Sequence, residues 1–270
     1  MRGIQGGFRI RLIALDLDGT LFESDESVLP ELKRALSKLV KKGIRITTAS
    51  GRPLEEQLNF LESNGLGVGS GYPHALITNE QEIYFLTDRG YEPCREHNDK
   101  FRSGWARILP EVMKFLRDEC MKLNSIGIKA EVWIDEETAL RRCLAGLLFE
   151  NSEEAKRGTE YLEERIRSLG IRIKCSRLRR LVQVILPAAG KGETLRALID
   201  FWQISPSQTL CIGDGANDIS MLDGRYGFIP ATLSNAEDDV KDVVKKCGGY
   251  IASKARGRGV LEVLHVHGLI

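Results

Sequence analysis

Short strand-like runs alternate with helix-like stretches at both ends of the chain. Residues 10–15 form a largely apolar run of the kind found in buried parallel strands, and residues 44–49, 74–78 and 209–212 are further candidates for strands. A helix is predicted from Pro30, because apolar residues recur at the spacing of one helical face: Leu32, Leu36, Leu39 and Val40. This βα alternation predicts a doubly wound, mostly parallel α/β sheet of the Rossmann type.

The alternation breaks in the middle of the chain, after about residue 82. There the pattern predicts a helix, two adjacent strands, a second helix and two more strands, over residues 110–123, 128–134, 140–149, 153–169, 171–175 and 181–186. From Lys191 the strict alternation resumes. We therefore expect a core of residues 1–82 and 188–270, split by an inserted α+β domain of residues 83–187.

Composition and charge exclude several classes of protein. The 270 residues are 42% hydrophobic, and the net charge of +1 provides no overall attraction to nucleic acid or to an anionic membrane. No apolar stretch approaches the roughly 20 residues of a membrane-spanning helix. The six cysteines are scattered, which argues against a zinc site or a disulfide framework. We expect a cytoplasmic protein whose partners include neither nucleic acid nor a membrane, and the oligomeric state stays open.

Four groups of polar residues follow predicted strands or begin a predicted helix. They are Asp16 with Asp18, Ser50, Lys191, and Asp214 with Asp218. Polar residues of these types are common in loops, so any one group alone indicates little. Chance, however, would distribute the four groups over both ends of the strands. Because ligands of an open α/β sheet bind outside the carboxyl ends of its strands, we expect these residues to form one site.

The residue types in these groups have a common chemistry. Four carboxylates in one cleft repel one another strongly, and a hard divalent cation with oxygen ligands, here expected to be Mg2+, resolves that repulsion. The Lys191 ammonium and the Ser50 hydroxyl supply the charge and the donor that a phosphate dianion requires. One carboxylate can attack phosphorus and form an aspartyl-phosphate, which water then hydrolyses. A second carboxylate two residues along projects to the same side and can act as general acid and base.

These residues resemble the four motifs of the haloacid dehalogenase superfamily. The resemblance covers motif one at residues 16–20 (DLDGT), motif two at 50–52 (SGR), motif three at Lys191 and motif four at 213–218 (GDGAND), in matching order and spacing. An insertion of this size and mixed character between motifs two and three is similar to the cap of the Cof-like sugar phosphatases. That branch includes sucrose-phosphate and mannosyl-phosphoglycerate phosphatases.

The resemblance implies a Mg2+-dependent phosphatase that hydrolyses a small phosphorylated metabolite, such as a sugar phosphate, through an aspartyl-phosphate. It implies Asp16 as the nucleophile and Asp18 as the general acid and base. Mg2+ would be held by the Asp16 carboxylate, the Asp18 backbone carbonyl, Asp214 and, directly or through water, Asp218. The residues that the motifs assign to substrate binding are Thr20, Ser50, Gly51, Arg52, Lys191 and Asn217, the last by orienting Asp218 or Lys191.

Two segments depart from the pattern of this branch. Asn79-Glu80-Gln81 stands where Asn-Gly-Ala is usual, and Ser234-Asn235-Ala236 stands where Gly-Asn-Ala is typical. Both segments border the substrate cleft in the resembling proteins, so the identity of the substrate stays open.

Two other functions stay open as well. A phosphomutase of the phosphomannomutase type resembles this branch in motifs and cap placement, and a non-catalytic binding protein can use the same fold. A basic cluster in the inserted domain is typical of a solvated face, and it also suits a surface that attracts an anionic substrate: Arg172, Lys174, Arg177, Arg179 and Arg180. Arg141 is a further basic candidate for contact with a substrate.

Overall fold

The computed structural model describes residues 10–270. Within this range the strands are β1 (Leu12–Leu15), β2 (Arg45–Ala49), β3 (Ala75–Thr78), β4 (Glu82–Thr87), β5 (Gly90–Pro93), β6 (Ala130–Val132), β7 (Ala145–Phe149), β8 (Lys174–Leu178), β9 (Leu181–Ile185), β10 (Thr209–Ile212), β11 (Ile229–Thr232) and β12 (Tyr250–Ile251). The helices are α1 (Pro30–Lys41), α2 (Leu54–Ser63), α3 (Arg95–Ser125), α4 (Glu136–Arg142), α5 (Ser152–Leu169), α6 (Lys191–Trp202), α7 (Ile219–Leu222), α8 (Asp238–Lys246) and α9 (Arg256–Val266).

The larger sheet has the spatial order β12-β11-β10-β1-β2-β3-β4-β5. Neighbours from β12 to β3 pair in parallel, and β4 and β5 continue the sheet as antiparallel strands. Every residue of the central strand β1 is buried, which explains its uniformly apolar sequence. The prediction of a doubly wound, mostly parallel α/β sheet is confirmed.

Helices cover both faces of this sheet. Ile13 and Leu15 of β1 pack with α1, α2 and α9 on one face, while Leu12 and Ala14 pack with α6, α7 and α8 on the other. The alternation follows from the period of two residues in a strand, which directs successive side chains to opposite faces. Helices therefore shield both faces of the sheet from water, and its carboxyl edge is where polar residues can be placed.

A second, antiparallel sheet has the order β6-β7-β9-β8. Helices α3 and α5 pack against it and form a separate core that includes Trp105, Leu116, Leu162 and Val182. We call this sheet with helices α3–α5 (residues 95–185) the cap. It has its own hydrophobic core, as an inserted domain requires.

The structure differs from the sequence-based elements at four places, one of which is the predicted strand 171–175, because β8 begins only at Lys174 and ends at Leu178. Strands β4 and β5 extend the larger sheet beyond the predicted boundary at residue 82, so we propose that the inserted domain begins near Arg95. Pro110, predicted to begin a helix, lies inside α3, which starts at Arg95 because Trp105 and Leu109 join the cap core. The predicted strand at 140–149 begins only at Ala145, after helix α4.

Helix α4 replaces the start of that strand because its ends are well defined. The Asp135 side chain accepts a 2.8 Å hydrogen bond from the Thr138 backbone N–H, which satisfies a donor at the helix N-terminus. Cys143 follows the helix in the left-handed conformation that commonly terminates helices. The local capping signal therefore outweighs the strand pattern at residues 140–144, whereas residues 145–149 form β7.

Candidate active site

The expected polar groups meet at the carboxyl edge of the larger sheet. Leu15, the last residue of β1, is in register with Ile212 of β10 and Thr48 of β2. The residues that follow these three parallel strands are therefore neighbours in space. This register places Asp16 between the loop of motif two and the loop of motif four.

Lys191 is the centre of the buried charges at this edge. It is the first residue of α6, and its Nζ donates hydrogen bonds of 2.6 Å to Oδ1 of Asp16 and 2.6 Å to Oδ1 of Asp218. All three side chains are buried. Burial by itself would lower the pKa of Lys191, but the adjacent carboxylates of Asp16, Asp218 and Glu80 reverse this effect and raise the pKa above its ordinary value. Lys191 is therefore a permanent cation.

Three carboxylates form a compact group beside Lys191. Oxygens of Asp16, Asp214 and Asp218 all lie within 4.8 Å of one another. Burial, with the nearby Asp218 and Asp214 charges, raises the pKa of Asp16, against the lowering effect of Lys191. Burial and the charge of Asp218 raise the pKa of Asp214 to about 6. One lysine does not neutralise three carboxylates, and an oxygen donor set of this kind fits a hard cation such as Mg2+.

The loops around these carboxylates are shaped to hold them. Oδ2 of Asp218 accepts hydrogen bonds of 2.9 Å from the backbone N–H groups of Asp214 and Gly215. Gly19 has a φ of 85°, and a Cβ atom there would overlap the Asp214 carboxylate. The Thr20 hydroxyl donates a 3.1 Å hydrogen bond to Oδ1 of Asp214. Thr20 is fully buried, so in this structure it orients Asp214 and does not face the cleft.

Asp18 lies apart from the three clustered carboxylates. Both of its oxygens are engaged by Arg52, whose Nε and Nη2 donate hydrogen bonds of 2.7 Å each. This parallel pair is the strongest geometry available to a guanidinium and a carboxylate. Arg52 also stacks on Phe60, with the guanidinium carbon 4.2 Å from the ring centroid. The arrangement keeps the Asp18 side chain at the wall of the cleft.

The motif-two loop forms one wall of the cleft. Ser50, Gly51 and Arg52 line it, and the Ser50 hydroxyl accepts a 3.1 Å hydrogen bond from the Arg52 backbone N–H. Ser50 keeps its hydroxyl proton for another acceptor. Asn217 also lines the cleft, and its side-chain amide donates a 2.9 Å hydrogen bond to Oε1 of Glu80.

Glu80 occupies the segment that departs from the pattern of the resembling branch. Its φ is 63°, a left-handed conformation that glycine adopts without strain, which gives a physical reason for the glycine usual at this position. Its carboxylate is fully buried and contacts Asn217 and Ser176. Burial raises the pKa of Glu80, while Lys191 and the two hydrogen bonds oppose the rise.

The cap forms the roof of a cleft of about 580 Å³. Its contribution to the lining is Trp133, Arg142, Ser152, Leu178, Arg179, Leu181 and Gln183. Of the basic residues considered from the sequence, Arg179 lines this cleft, whereas Arg141, Arg172 and Arg180 do not. Arg177 instead pairs with Glu237 at 2.7 Å, and Lys174 pairs with Glu193. The basic cluster is thus divided between cap–core contacts, the cleft and the outer surface.

Sequence reasoning missed several residues of this site. Arg142 lines the roof and Asn235 donates a 3.0 Å hydrogen bond to Oδ2 of Asp214. Asn235 lies in the second departing segment, and Glu80 lies in the first, so the departures themselves were a usable signal. Arg142 had no such signal, because it lies in a helix that the sequence pattern described as a strand.

The chain is similar to known proteins both in sequence and in fold. A family model for haloacid dehalogenase-like hydrolases matches residues 13–92 and 111–264. The chain is 26% identical to phosphoglycolate phosphatase 1 of Saccharolobus solfataricus, over 94% of this chain and 93% of the relative. It is 25% identical to the 5-amino-6-(5-phospho-D-ribitylamino)uracil phosphatase of Escherichia coli, over 94% and 95% respectively. Its fold is similar to that of the sucrose-phosphatase of Synechocystis, with a TM-score of 0.72, 19% identity, and coverage of 97% and 99%.

Among residues 10–270, no helix is both long enough and apolar enough to span a membrane.

Proposed function

Because the chain belongs to the haloacid dehalogenase-like hydrolases, and the relatives compared above are phosphatases, we propose that it is a Mg2+-dependent phosphatase of a small phosphorylated metabolite. A sugar phosphate or a related phosphate monoester is the expected substrate class. We assign the reaction to the cleft between the carboxyl edge of the larger sheet and the cap.

One observation carries this proposal. The Asp16 carboxylate follows the central strand β1, lies at the cleft, and accepts a 2.6 Å hydrogen bond from the buried Lys191. A carboxylate held in this way has one oxygen fixed by a cation and a second oxygen available for another role. Such a group is preorganised for in-line attack on a phosphoryl group, because neither its position nor its charge requires solvent reorganisation.

The chemistry has two steps, both centred on Asp16. In the first, an Asp16 oxygen forms a bond to phosphorus, the bond between phosphorus and the leaving oxygen breaks, and Asp18 gives that oxygen a proton. In the second, a water molecule attacks the aspartyl-phosphate and Asp18 takes the water proton, which releases inorganic phosphate and restores Asp16. Lys191 and the Ser50 hydroxyl hold the phosphoryl oxygens during both steps.

The Arg52–Asp18 pair adds a condition to this scheme. Arg52 occupies both oxygens of Asp18, so a leaving group reaches Asp18 only after Arg52 turns away. A phosphorylated substrate offers Arg52 an alternative anion at the same wall of the cleft. We therefore infer that substrate binding releases Asp18, which takes up a proton from solvent before it protonates the leaving oxygen.

Mg2+ has a defined place in this proposal. Asp16, Asp214 and the Asp18 backbone carbonyl would hold the ion, with Asp218 ligating it directly or through water. When bound, Mg2+ supplies positive charge that neutralises the phosphoryl group and the carboxylates around it. Asp218 is already fixed by Lys191 and by two backbone N–H groups, so it also keeps the motif-four loop in position.

A phosphate-release assay tests the proposal. The purified protein is incubated with p-nitrophenyl phosphate and with phosphorylated sugars, polyols, small acids and nucleotides, with and without Mg2+. We expect Mg2+-dependent release of inorganic phosphate, with the highest kcat/KM on a compact metabolite. Transfer of phosphate between positions of a sugar bisphosphate, without net release, would contradict hydrolysis and indicate a mutase.

A further inference from the structure

Charges on the walls of the cleft are unequally paired. The acidic side chains near its opening have cationic partners: Arg52 lies 2.7 Å from Asp18 and 3.5 Å from Glu56, and Arg177 lies 2.7 Å from Glu237. Arg52 and Arg177 thus supply two positive charges against the three carboxylates of Asp18, Glu56 and Glu237.

Three arginines that line the same cleft lack such partners. For Arg142, Arg179 and Arg256, no carboxylate oxygen of residues 10–270 lies within 4.0 Å of a guanidinium nitrogen. A single unpaired arginine at a surface is ordinary, because water solvates it. Three around one cleft of about 580 Å³ create a local positive field that attracts and orients an anion.

Arg142 is the best fixed of the three. It ends helix α4, is half-buried, and lies over the Trp133 ring with 5.0 Å between the guanidinium carbon and the ring centroid. Its Nε and Nη2 donate hydrogen bonds of 3.3 Å to Oδ1 of Asn79 and to the backbone oxygen of Gly51. Both acceptors are neutral. The guanidinium thus stands beside the motif-two loop without a directly paired carboxylate, and Glu56 attracts it only at longer range.

Arg179 and Arg256 lie nearer to motif four, since Arg179 acts electrostatically on Asp214 and Arg256 contacts Asn235. Arg179 occupies the turn between β8 and β9 with a φ of 54°. The backbone N–H of Arg256 donates a 2.9 Å hydrogen bond to Oδ1 of Asn235, whose amide in turn donates to Asp214. A ligand attached to Asp16 through phosphorus would therefore share the cleft with these three cationic groups.

We propose that the substrate is a phosphate monoester whose leaving group carries a second anionic group, and that Arg142, Arg179 and Arg256 recognise that group. This inference rests on the phosphatase function proposed above and deepens it. A carboxylate and a second phosphate share the required chemistry, because both accept hydrogen bonds from a guanidinium fork. Neutral sugars and polyols leave the three charges unsatisfied.

Matched pairs of substrates test the recognition of the second anion. The value of kcat/KM is measured for 3-phosphoglycerate against glycerol 3-phosphate, which differ by a carboxylate, and for fructose 1,6-bisphosphate against fructose 6-phosphate, which differ by a phosphate. We expect the anionic member of one pair to be preferred by about tenfold or more, the scale of a charge-assisted hydrogen bond. The pair that shows the preference identifies which anion is recognised.

Variants locate the source of the preference. Arg142→Gln and Arg179→Gln are each expected to reduce the anion preference severalfold, mainly through KM. Arg141→Gln and Arg180→Gln are the matched controls, because these neighbours do not line the cleft, and they are expected to keep the wild-type preference. Equal kcat/KM values within both pairs, or an equal effect of the control variants, would overturn the assignment.

A binding measurement separates this inference from the proposed function. Dissociation constants for both members of each pair are measured on Asp16→Asn, in which no turnover is expected. Preferential binding of the anionic member supports the inference even if the wild type releases no phosphate. Hydrolysis of p-nitrophenyl phosphate together with equal binding of both members leaves the phosphatase proposal standing and refutes the anionic leaving group.

Discussion

The Ser176 hydroxyl donates a 2.6 Å hydrogen bond to Oε2 of Glu80, and this contact joins the cap to the core. Ser176 lies in β8 of the cap, whereas Glu80 lies in the turn between β3 and β4. The other carboxylate oxygen of Glu80 accepts from Asn217 in motif four. The backbone oxygen of Glu80 accepts from Gly190 and from the Thr194 hydroxyl. One buried residue therefore links the cap to the motif-four loop through its side chain and to the start of α6 through its backbone.

The burial of Glu80 predicts how the free energy of unfolding depends on pH. Burial raises the pKa of Glu80, so the folded protein binds this proton more tightly than the unfolded chain does. The wild type must then lose stability, relative to Glu80→Gln, as pH rises from the unfolded pKa through the folded pKa. Urea unfolding between about pH 4 and about pH 8 measures the difference in the free energy of unfolding.

The control for this measurement is Glu62→Gln, at an exposed position of α2. Its free energy of unfolding is expected to follow that of the wild type at every pH. If the advantage of Glu80→Gln stays constant or shrinks as pH rises, the buried carboxylate does not carry the cost that its environment indicates.

The sequence predicted the core of this protein better than its cap. Apolar runs such as residues 12–15 are buried on both faces of the sheet, so composition alone identifies them as strands. The positions of Asp16 and Asp214 then followed from a general property of parallel sheets, whose ligands bind at the carboxyl edge. The prediction of a strand where helix α4 lies was wrong, because the Asp135 cap stabilises a helix that the apolar pattern did not indicate.

Contacts between the cap and the core could not be predicted in the same way. Arg142 reaches Gly51 across 91 positions of sequence, and Ser176 reaches Glu80 across 96. Such pairs depend on how two independently packed cores are placed against each other. Strand periodicity indicates two possible faces for a side chain, and only the tertiary structure selects the face that meets the cleft.

The assigned roles of the two motif-one aspartates predict different losses of activity. Asp16→Asn is expected to abolish turnover, because an amide neither attacks phosphorus nor binds Mg2+ as an anion. Asp18→Asn is expected to reduce kcat by about 10²- to 10⁴-fold, the usual scale for losing a general acid and base, and to keep most of the Mg2+ affinity. Steady-state kinetics and metal titration measure both. Phosphorylation of the Asp16→Asn protein by a reactive phosphate donor would reject Asp16 as the nucleophile.

The carboxylate group of Asp16, Asp214 and Asp218 predicts that Mg2+ stabilises the protein as well as activating it. Mg2+ binding to the folded state alone stabilises it by about 2.7 kcal/mol at a concentration 100 times the dissociation constant. Chelation is expected to eliminate activity and to lower the thermal midpoint, and added Mg2+ to restore both. Ca2+ is expected to stabilise the fold but inhibit turnover, since its looser and higher coordination holds Asp16 less well for attack.

The decisive control for the metal is Asp214→Asn. This variant retains Lys191 and the nucleophile but loses one anionic oxygen donor, so Mg2+ is expected to shift its thermal midpoint far less. Full activity of the wild type in excess chelator, or an equal Mg2+ shift in the two proteins, would contradict a metal site at these carboxylates.

The last prediction compares two glycines with nearly the same backbone conformation. Gly19 has a φ of 85° and Gly43 a φ of 82°, so replacement by alanine costs both a similar strain of about 1 kcal/mol. Their surroundings differ: a Cβ at Gly43 would meet nothing within 4 Å, whereas a Cβ at Gly19 would overlap the Asp214 carboxylate. Gly43→Ala should therefore lose only that stability and keep its kcat.

Gly19→Ala should also displace Asp214. This displacement is expected to raise the Mg2+ concentration needed for half-maximal activity by about tenfold or more, because a 1.4 kcal/mol loss of binding energy is a tenfold change. Mg2+ titrations of activity on both variants decide the matter, and equal titration curves would mean that the close approach of Gly19 to Asp214 does not set the metal site.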